Sequence, residues 1–334
     1  MSKRALIDLC KQEASKVLVQ GRYDLAIPGA VQALTFCKEI FGEGSIEMVP
    51  PYLLLSQANL GLARLQSAEE FLSLANWIIL KNPDCPNAIR SQLHRNFGKL
   101  YTAQNKPDDA LAELAKDIYC SSLEVGPEHI DTSAGYFLMA NVLYSERKVE
   151  SALAFYDKVV DIWYKFLASV RNDAELGQGF GEAQLSEGQD MLSNILKTRI
   201  NLLGETHIAS GEAKYTVALL HVFLGDQEVA KEQLESAFEI YKQQLGEEHP
   251  STMDVASVLA RVERADHSAN GNGGADETGL QGRAEYSTES RQSLSSQFPA
   301  SNMMRAVTQS PIPLAPDQGR PYAGHESTEA EVGA

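Results

Sequence analysis

Gln20-Gly21-Arg22-Tyr23-Asp24-Leu25-Ala26-Ile27 reads as a short turn, an aromatic residue and an alanine that opens an amphipathic run. The alanine returns as Ala68, Ala110 and Ala152, each 42 residues after the last, and as Ala230, 78 residues later. A small residue stands twelve positions before each one: Ala14, Ser56, Gly98, Ala140 and Ala218. Two series moving in step are the signature of an internal repeat. A third marker lies in the longer gap. Leu203-Gly204-Glu205-Thr206-His207 matches Leu245-Gly246-Glu247-Glu248-His249 at a displacement of 42, and Gly42 and Gly126 occupy comparable helix-ending places. A fifth unit therefore falls within 165–207. Its first helix is weak, because Gly177, Gly179 and Gly181 stand where other units have helix formers, and each glycine costs about 1 kcal/mol relative to alanine in a helix interior. A loop or frayed helix is expected at 171–181.

Apolar spacing within each unit is helical on both sides of the turn. In the fourth, Tyr136, Met139, Ala140 and Leu143 form one stripe, and Ala152, Phe155, Tyr156, Val159, Val160 and Trp163 form the next. A helical pair of this length cannot bury its apolar face alone, so neighbouring pairs must stack. The expected fold is all-α: a right-handed α-solenoid of about six helical hairpins over residues 1–265. Met253–Arg261, apolar on one side, suits a helix capping the open end. Beyond it the pattern fades. Residues 265–334 contain 8 Gly, 9 Ser and 5 Pro, but only 9 of Leu, Ile, Val, Phe and Met together. Such a segment cannot offset its ordering entropy by burial, so 266–334 is expected to be a disordered tail, with Ser310-Pro311 and the serines of 287–296 as phosphorylation candidates.

Composition narrows the function classes. The 334 residues carry a formal net charge of −16, which repels a nucleic-acid backbone. The longest apolar runs, such as Tyr52–Leu55 and Trp77–Leu80, are far short of the roughly 18 residues of a membrane span, and Asp8, Lys11 and Glu13 interrupt any secretory or transit signal. A cytosolic, soluble chain is expected. Cys10, Cys37, Cys85 and Cys120 form no Cys-x-x-Cys pair and are read as reduced thiols.

These spacings resemble the tetratricopeptide repeat, lengthened from about 34 residues as in kinesin-light-chain-like repeats, to which Leu245-Gly246-Glu247-Glu248-His249-Pro250-Ser251-Thr252 is also similar. A more specific resemblance lies in the middle of the chain. Val49-Pro50-Pro51-Tyr52-Leu53-Leu54-Leu55, Leu93-His94-Arg95-Asn96-Phe97-Gly98 with Leu100-Tyr101, Asp117-Ile118-Tyr119, and Gly135-Tyr136-Phe137 with Ala140-Asn141 resemble the family of zinc finger MYND domain-containing accessory subunits of the single-headed axonemal inner-arm dynein d. The resemblance spans roughly 5–203 and continues faintly to 265. It implies a non-catalytic subunit that docks or assembles the arm in motile cilia and flagella. Its implied partners are a dynein heavy chain, other inner-arm subunits and a sister tetratricopeptide subunit, with microtubule contact indirect. Animal members also carry a MYND finger; this chain begins directly with the first repeat, so no zinc is carried over.

In tetratricopeptide stacks the first helices line a concave groove. Here the face opposite the small packing residue offers Gln57, Arg95, Asn96, Lys99, Phe137, Asn141 and Tyr144 as partner-binding candidates. Asn96 and Asn141 could clamp a peptide backbone through donor and acceptor together. The alternative function is a cytosolic peptide-binding cargo adaptor of the kinesin-light-chain kind.

No catalytic arrangement stands out: no Gly-x-Ser-x-Gly, His-Glu-x-x-His, Walker or EF-hand loop occurs. Gly177-Gln178-Gly179-Phe180-Gly181 lacks the preceding strand of a dinucleotide site and reads as a linker. His129, His207 and His249 each lie three residues after a helix-ending glycine. Equivalent places on stacked hairpins are separated by at least a helix diameter of about 10 Å, so these are turn residues rather than ligands of one ion. No cofactor is expected. Glu69-Glu70 and Asp108-Asp109 are read as solvated turn acids, and Trp77 and Trp163 as packing residues of second helices.

Overall fold

The structure, a computed structural model, describes residues 3–172 and 181–270. Ten of its helices pair as five hairpins: α1 (Lys3–Val19) with α2 (Tyr23–Phe41), α3 (Val49–Gly61) with α4 (Leu65–Lys81), α5 (Asn87–Ala103) with α6 (Pro107–Glu124), α7 (Ile130–Ser145) with α8 (Val149–Asn172), and α10 (Ile208–Leu224) with α11 (Gln227–Leu245). The remaining two, α9 (Glu182–Leu203) and α12 (Pro250–Asn270), stand outside this pairing.

The hairpin turn is the same each time. Gly21, Ala63, Asn105, Arg147 and Gly225 all have positive φ, between 57° and 83°, at the spacing of the alanine series. In each turn the following amide bonds back five residues: Arg22 to Val17, Arg64 to Asn59, Lys106 to Tyr101, Lys148 to Leu143 and Asp226 to His221, at 2.8–2.9 Å. This left-handed cap satisfies the last carbonyls of the first helix. The recurrent alanine follows as the fourth residue of every second helix, and Ala26, Ala68, Ala110, Ala152 and Ala230 are all 0% exposed. The facing small residues are buried too, and a Cβ on Gly98 would stand 2.6 Å from Leu114. Gly98 is small because the Leu114 side chain of the partner helix fills the space a Cβ would need.

A second turn recurs between α6 and α7, α9 and α10, and α11 and α12. Gly126, Gly204 and Gly246 have φ of 94–102°, and the histidine three residues on caps the following helix. Nδ1 of His129, His207 and His249 accepts from the amides of Asp131, Ala209 and Ser251 at 3.2–3.3 Å. Thr132, Ser210 and Thr252 then donate their hydroxyls to the three glycine carbonyls at 2.8–2.9 Å. The histidines are turn residues because an imidazole nitrogen satisfies an orphan amide of the helix start.

The fifth unit departs from the pattern. It supplies α9 and no described partner helix; the expected loop at 171–181 falls on residues 173–180, outside the described ones, although α8 itself continues to Asn172. The array closes over this gap. Arg171 of α8 donates to Asp254 of α12 at 3.1 Å, and Tyr215 of α10 donates to the other oxygen of the same carboxylate at 2.6 Å. The fourth hairpin thus joins α10 and α12 directly. α12 reaches Asn270 and is longer than Met253–Arg261; the remainder of the expected tail, 271–334, lies outside the described residues.

The two tryptophans separate. Trp163 is 1% exposed, with its indole N–H donating to Ser133 at 3.0 Å. Trp77 is 51% exposed, under the ammonium of Lys81 at 3.5 Å from the ring centroid, which corrects its reading as a packing residue: no later hairpin covers that face of α4. Cys10, Cys37, Cys85 and Cys120 are free thiols. No helix among the described residues is long and apolar enough to cross a membrane.

Candidate functional site: a concave groove and the helix beside it

The first helices of successive hairpins, α1, α3, α5 and α7, form an inner row. Arg95 is the most constrained of the candidate residues. Its Nε donates to Asp117 Oδ2 at 2.9 Å, and one terminal nitrogen reaches Asp117 Oδ1 at 3.3 Å and the carbonyl of Asp131 at 2.9 Å. Asp117 is fully buried and also accepts from Ser91 at 2.5 Å. Burial opposes the guanidinium charge, but Asp117 outweighs it and the Arg95 pKa is raised. The pair is locked into the junction of α5, α6 and α7, leaving little of Arg95 for a ligand.

Asn96 turns inward. It is 2% exposed, and its Nδ2 donates to the carbonyl of Gln92, one turn back on its own helix, at 2.8 Å. That placement removes it from the groove as a backbone clamp. Asn141 is half-buried, with its Oδ1 accepting from Tyr156 of α8 at 2.7 Å. The Phe137 ring is tilted against the same tyrosine, the centroids 6.2 Å apart. Burial pushes the Tyr156 hydroxyl up to about 12, so it remains a donor to Asn141. Gln57 is half-buried on α3, and Tyr144 is exposed near the end of α7. Lys99 is half-buried; burial pulls its pKa down, and Glu187 opposes this.

Glu187 belongs to α9, which brings into the site a set of residues that sequence reasoning missed. α9 packs against α1, eight helices earlier in the chain. Its Gln184 donates to Asp131 at 2.8 Å, Glu187 acts electrostatically on both Arg95 and Lys99, and Thr198 meets the Tyr156 hydroxyl. Gly188 lies flat on Trp163, where a Cβ would fall 2.2 Å from the ring. At its other end α9 is fixed by Arg199, 1% exposed, which donates to the carbonyl of Ala209 at 2.6 Å and pairs with Asp157. A helix of the same chain therefore lies beside the candidate residues of α7 and also meets α1. One sequence signal was available: a glycine inside an otherwise helical, amphipathic stretch marks a close approach.

The outer row differs in character. Leu74, Trp77 and Leu80 of α4, and Tyr119 and Leu123 of α6, are large apolar side chains left exposed. Glu69 and Glu70 line a shallow depression with Leu74 and Trp77. Among the described residues no three His, Cys, Asp or Glu side chains are placed to hold a metal ion.

No family model matches the sequence. Among solved structures, a kinesin light chain of Podosopora anserina with nearly identical TPR-like repeats is 14% identical; the match covers 73% of this chain and 98% of that one, with a TM-score of 0.39. BtubC (BKLC) of P. vanneervenii is 15% identical over 84% of this chain and 99% of that one, with a TM-score of 0.32. At these scores the similarities assign no function. The architecture rests on the molecule itself: five hairpins with one repeated turn, one repeated alanine and one repeated histidine cap make the chain a tetratricopeptide-type α-solenoid, a fold that presents surfaces to other proteins.

Proposed function

We propose that the chain is a non-catalytic scaffold subunit of an axonemal inner-arm dynein of the d type. It would hold the heavy chain and other arm subunits, including a sister tetratricopeptide subunit, in motile cilia and flagella, and would occur in the cytoplasm before assembly. The observation that carries the reading is where its resemblance strings meet. Arg95, Asp117 and Gly135 come from three separate strings, yet Arg95 pairs with Asp117 and a Cβ on Gly135 would stand 2.9 Å from Asp117 and 2.8 Å from Ile118. Residues from three of the four strings that resemble inner-arm subunits such as zinc finger MYND domain-containing protein 12 thus meet in one packed junction, which supports reading them together.

The distribution of surface supports a scaffold over a cargo adaptor. Exposed apolar side chains stand on the outer helices α4 and α6, where another subunit can cover them. Net charge of −16 disfavours direct attachment to an acidic microtubule exterior, so attachment runs through the arm. The test is purification of a tagged copy from detergent-extracted axonemes. An inner-arm heavy chain should co-purify in defined proportion; its absence from a tagged copy that is present in the axoneme would sink the proposal.

A further inference from the structure

Trp77 of α4 and Tyr119 of α6 are 42 residues apart, each nine positions after the repeated alanine, so the repeat sets an aromatic side chain at one register position on two successive hairpins. They are 51% and 66% exposed, and Leu74 and Leu80 beside Trp77 are exposed as well. The same position on other hairpins holds Thr35, Asp161 and Glu239. The aromatic pair is therefore a property of the second and third hairpins and not of the fold. Exposed apolar groups gathered on one face mark a surface that something covers. Beside Leu74 and Trp77 lies a shallow depression of about 750 Å³, lined also by Glu69 and Glu70 about two turns nearer the start of the helix. No salt bridge among the described residues includes either carboxylate, and Glu69 accepts from the neutral amide of Gln104 at 2.9 Å. Glu113, Asp117 and Glu128, by contrast, are each paired with a Lys or Arg. The indole already holds a cation, Lys81. One end of the depression thus lacks a positive charge and the other lacks an apolar cover.

We propose that this outer face of α4 docks a basic amphipathic helix of another protein, with Arg or Lys side chains on Glu69 and Glu70 and large apolar side chains on Leu74, Trp77 and Leu80. The inference rests on the scaffold reading only in that another protein covers this face. Glu70, Leu74 and Trp77 stand at helical spacing, a ridge whose neighbouring groove takes the ridge of a second helix. Exposed ion pairs contribute little affinity, so the apolar contacts supply the hold and the carboxylates select the sign of the partner's charge. A second copy of this chain would bring the same carboxylates and a further net charge of −16 to the interface, which opposes self-association. A small molecule fits poorly, because its pocket must enclose most of its surface and this lining is open to solvent.

The test titrates the full-length chain with a fluorescein-labelled, helix-forming peptide of about 20 residues, in which two arginines are followed one and two turns later by leucines. Two control peptides carry glutamate for the arginines or alanine for the leucines. Trp77 and Trp163 are the two tryptophans of the chain, and Trp163 is buried, so an unlabelled peptide that covers Trp77 should shift the emission to the blue. The basic peptide should produce that shift, and both controls should bind at least about tenfold more weakly. Glu69→Lys with Glu70→Lys should weaken the basic peptide at least about tenfold and favour the acidic one. Glu232→Lys with Glu235→Lys, the same charge change at exposed positions of α11, should leave the affinity within about twofold. Trp77→Ala, read by anisotropy of the label, should lose at least about tenfold. Absence of binding, equal binding of the acidic peptide, or equal losses from the two charge pairs would overturn the proposal. An emission shift that grows with protein concentration alone would make the occupant a second copy and overturn it too. Recovery of an inner-arm heavy chain alongside any of these results would leave the assembly reading standing.

Discussion

Nε of Arg95 donates to Oδ2 of Asp117 at 2.9 Å, and that carboxylate is wholly withdrawn from solvent. An ion pair so placed gains little over an apolar pair of the same shape, but breaking it strands a charge. Asp117→Ala should therefore cost about 3–5 kcal/mol, whereas Arg95→Met combined with Asp117→Leu should cost much less than that. Urea unfolding followed by circular dichroism measures both. Equal losses in the two variants would show that the junction depends on packing alone.

The hairpin turns make a prediction in the opposite direction. Ala63 and Arg147 adopt φ of 57° and 61°, a region that costs a residue with a Cβ about 1 kcal/mol or more. Both are exposed. Ala63→Gly and Arg147→Gly should each raise stability by roughly 0.5–1 kcal/mol, after the greater unfolded-state entropy of glycine is deducted. Asn105→Gly should change less, since asparagine tolerates this region. The midpoint of urea unfolding at constant slope reports the gain.

The repeated alanine admits no enlargement. Ala110 and Ala152 are 0% exposed where second helices cross their partners. Replacing either with Leu should cost about 1–3 kcal/mol by overpacking, while a Leu at exposed Glu150, two positions before Ala152, should leave stability within about 0.5 kcal/mol. Thermal melting distinguishes the two positions.

Two groups beside Arg199 titrate in opposite senses. Burial raises Glu212 from 4.5 to about 7, against the pull of Arg199. Its folded form holds a proton that the unfolded chain has released, so its contribution is complete below about 4.5 and is lost as pH rises through about 7. Glu212→Gln should therefore be more stable than the unaltered chain at pH 8, by up to about 3 kcal/mol, and lose that advantage at pH 4.5. Burial, and then Arg199, lower His207 below 6.5. Its cap needs an unprotonated Nδ1 to accept from Ala209, so this contribution is complete above 6.5 and disappears as pH falls through the lowered value. His207→Asn, which can cap without titrating, should weaken that acid loss. Denaturant titrations of each single variant across pH 4.5–8 separate the two effects.

Much of this molecule was legible in one dimension. Ala26, Ala68, Ala110, Ala152 and Ala230 mark the fourth residue of every second helix, and a helix crossing that tolerates only a methyl group writes itself into sequence at a fixed interval. The glycine and histidine of the inter-hairpin turn are equally visible, because positive φ and an orphan amide are local demands met by neighbouring residues. Local physics repeated along the chain determined the hairpins, their register and the all-α class. Tertiary structure alone decided what each face meets. Trp77 and Trp163 occupy similar sequence surroundings, yet one is exposed and the other buried, since covering a helix face depends on which later hairpin reaches it. Asn96 and Asn141 divide in the same way. The path of α9 back to α1 joins segments more than 160 residues apart; the contacts that fix it are non-local, and no periodicity within α9 records them.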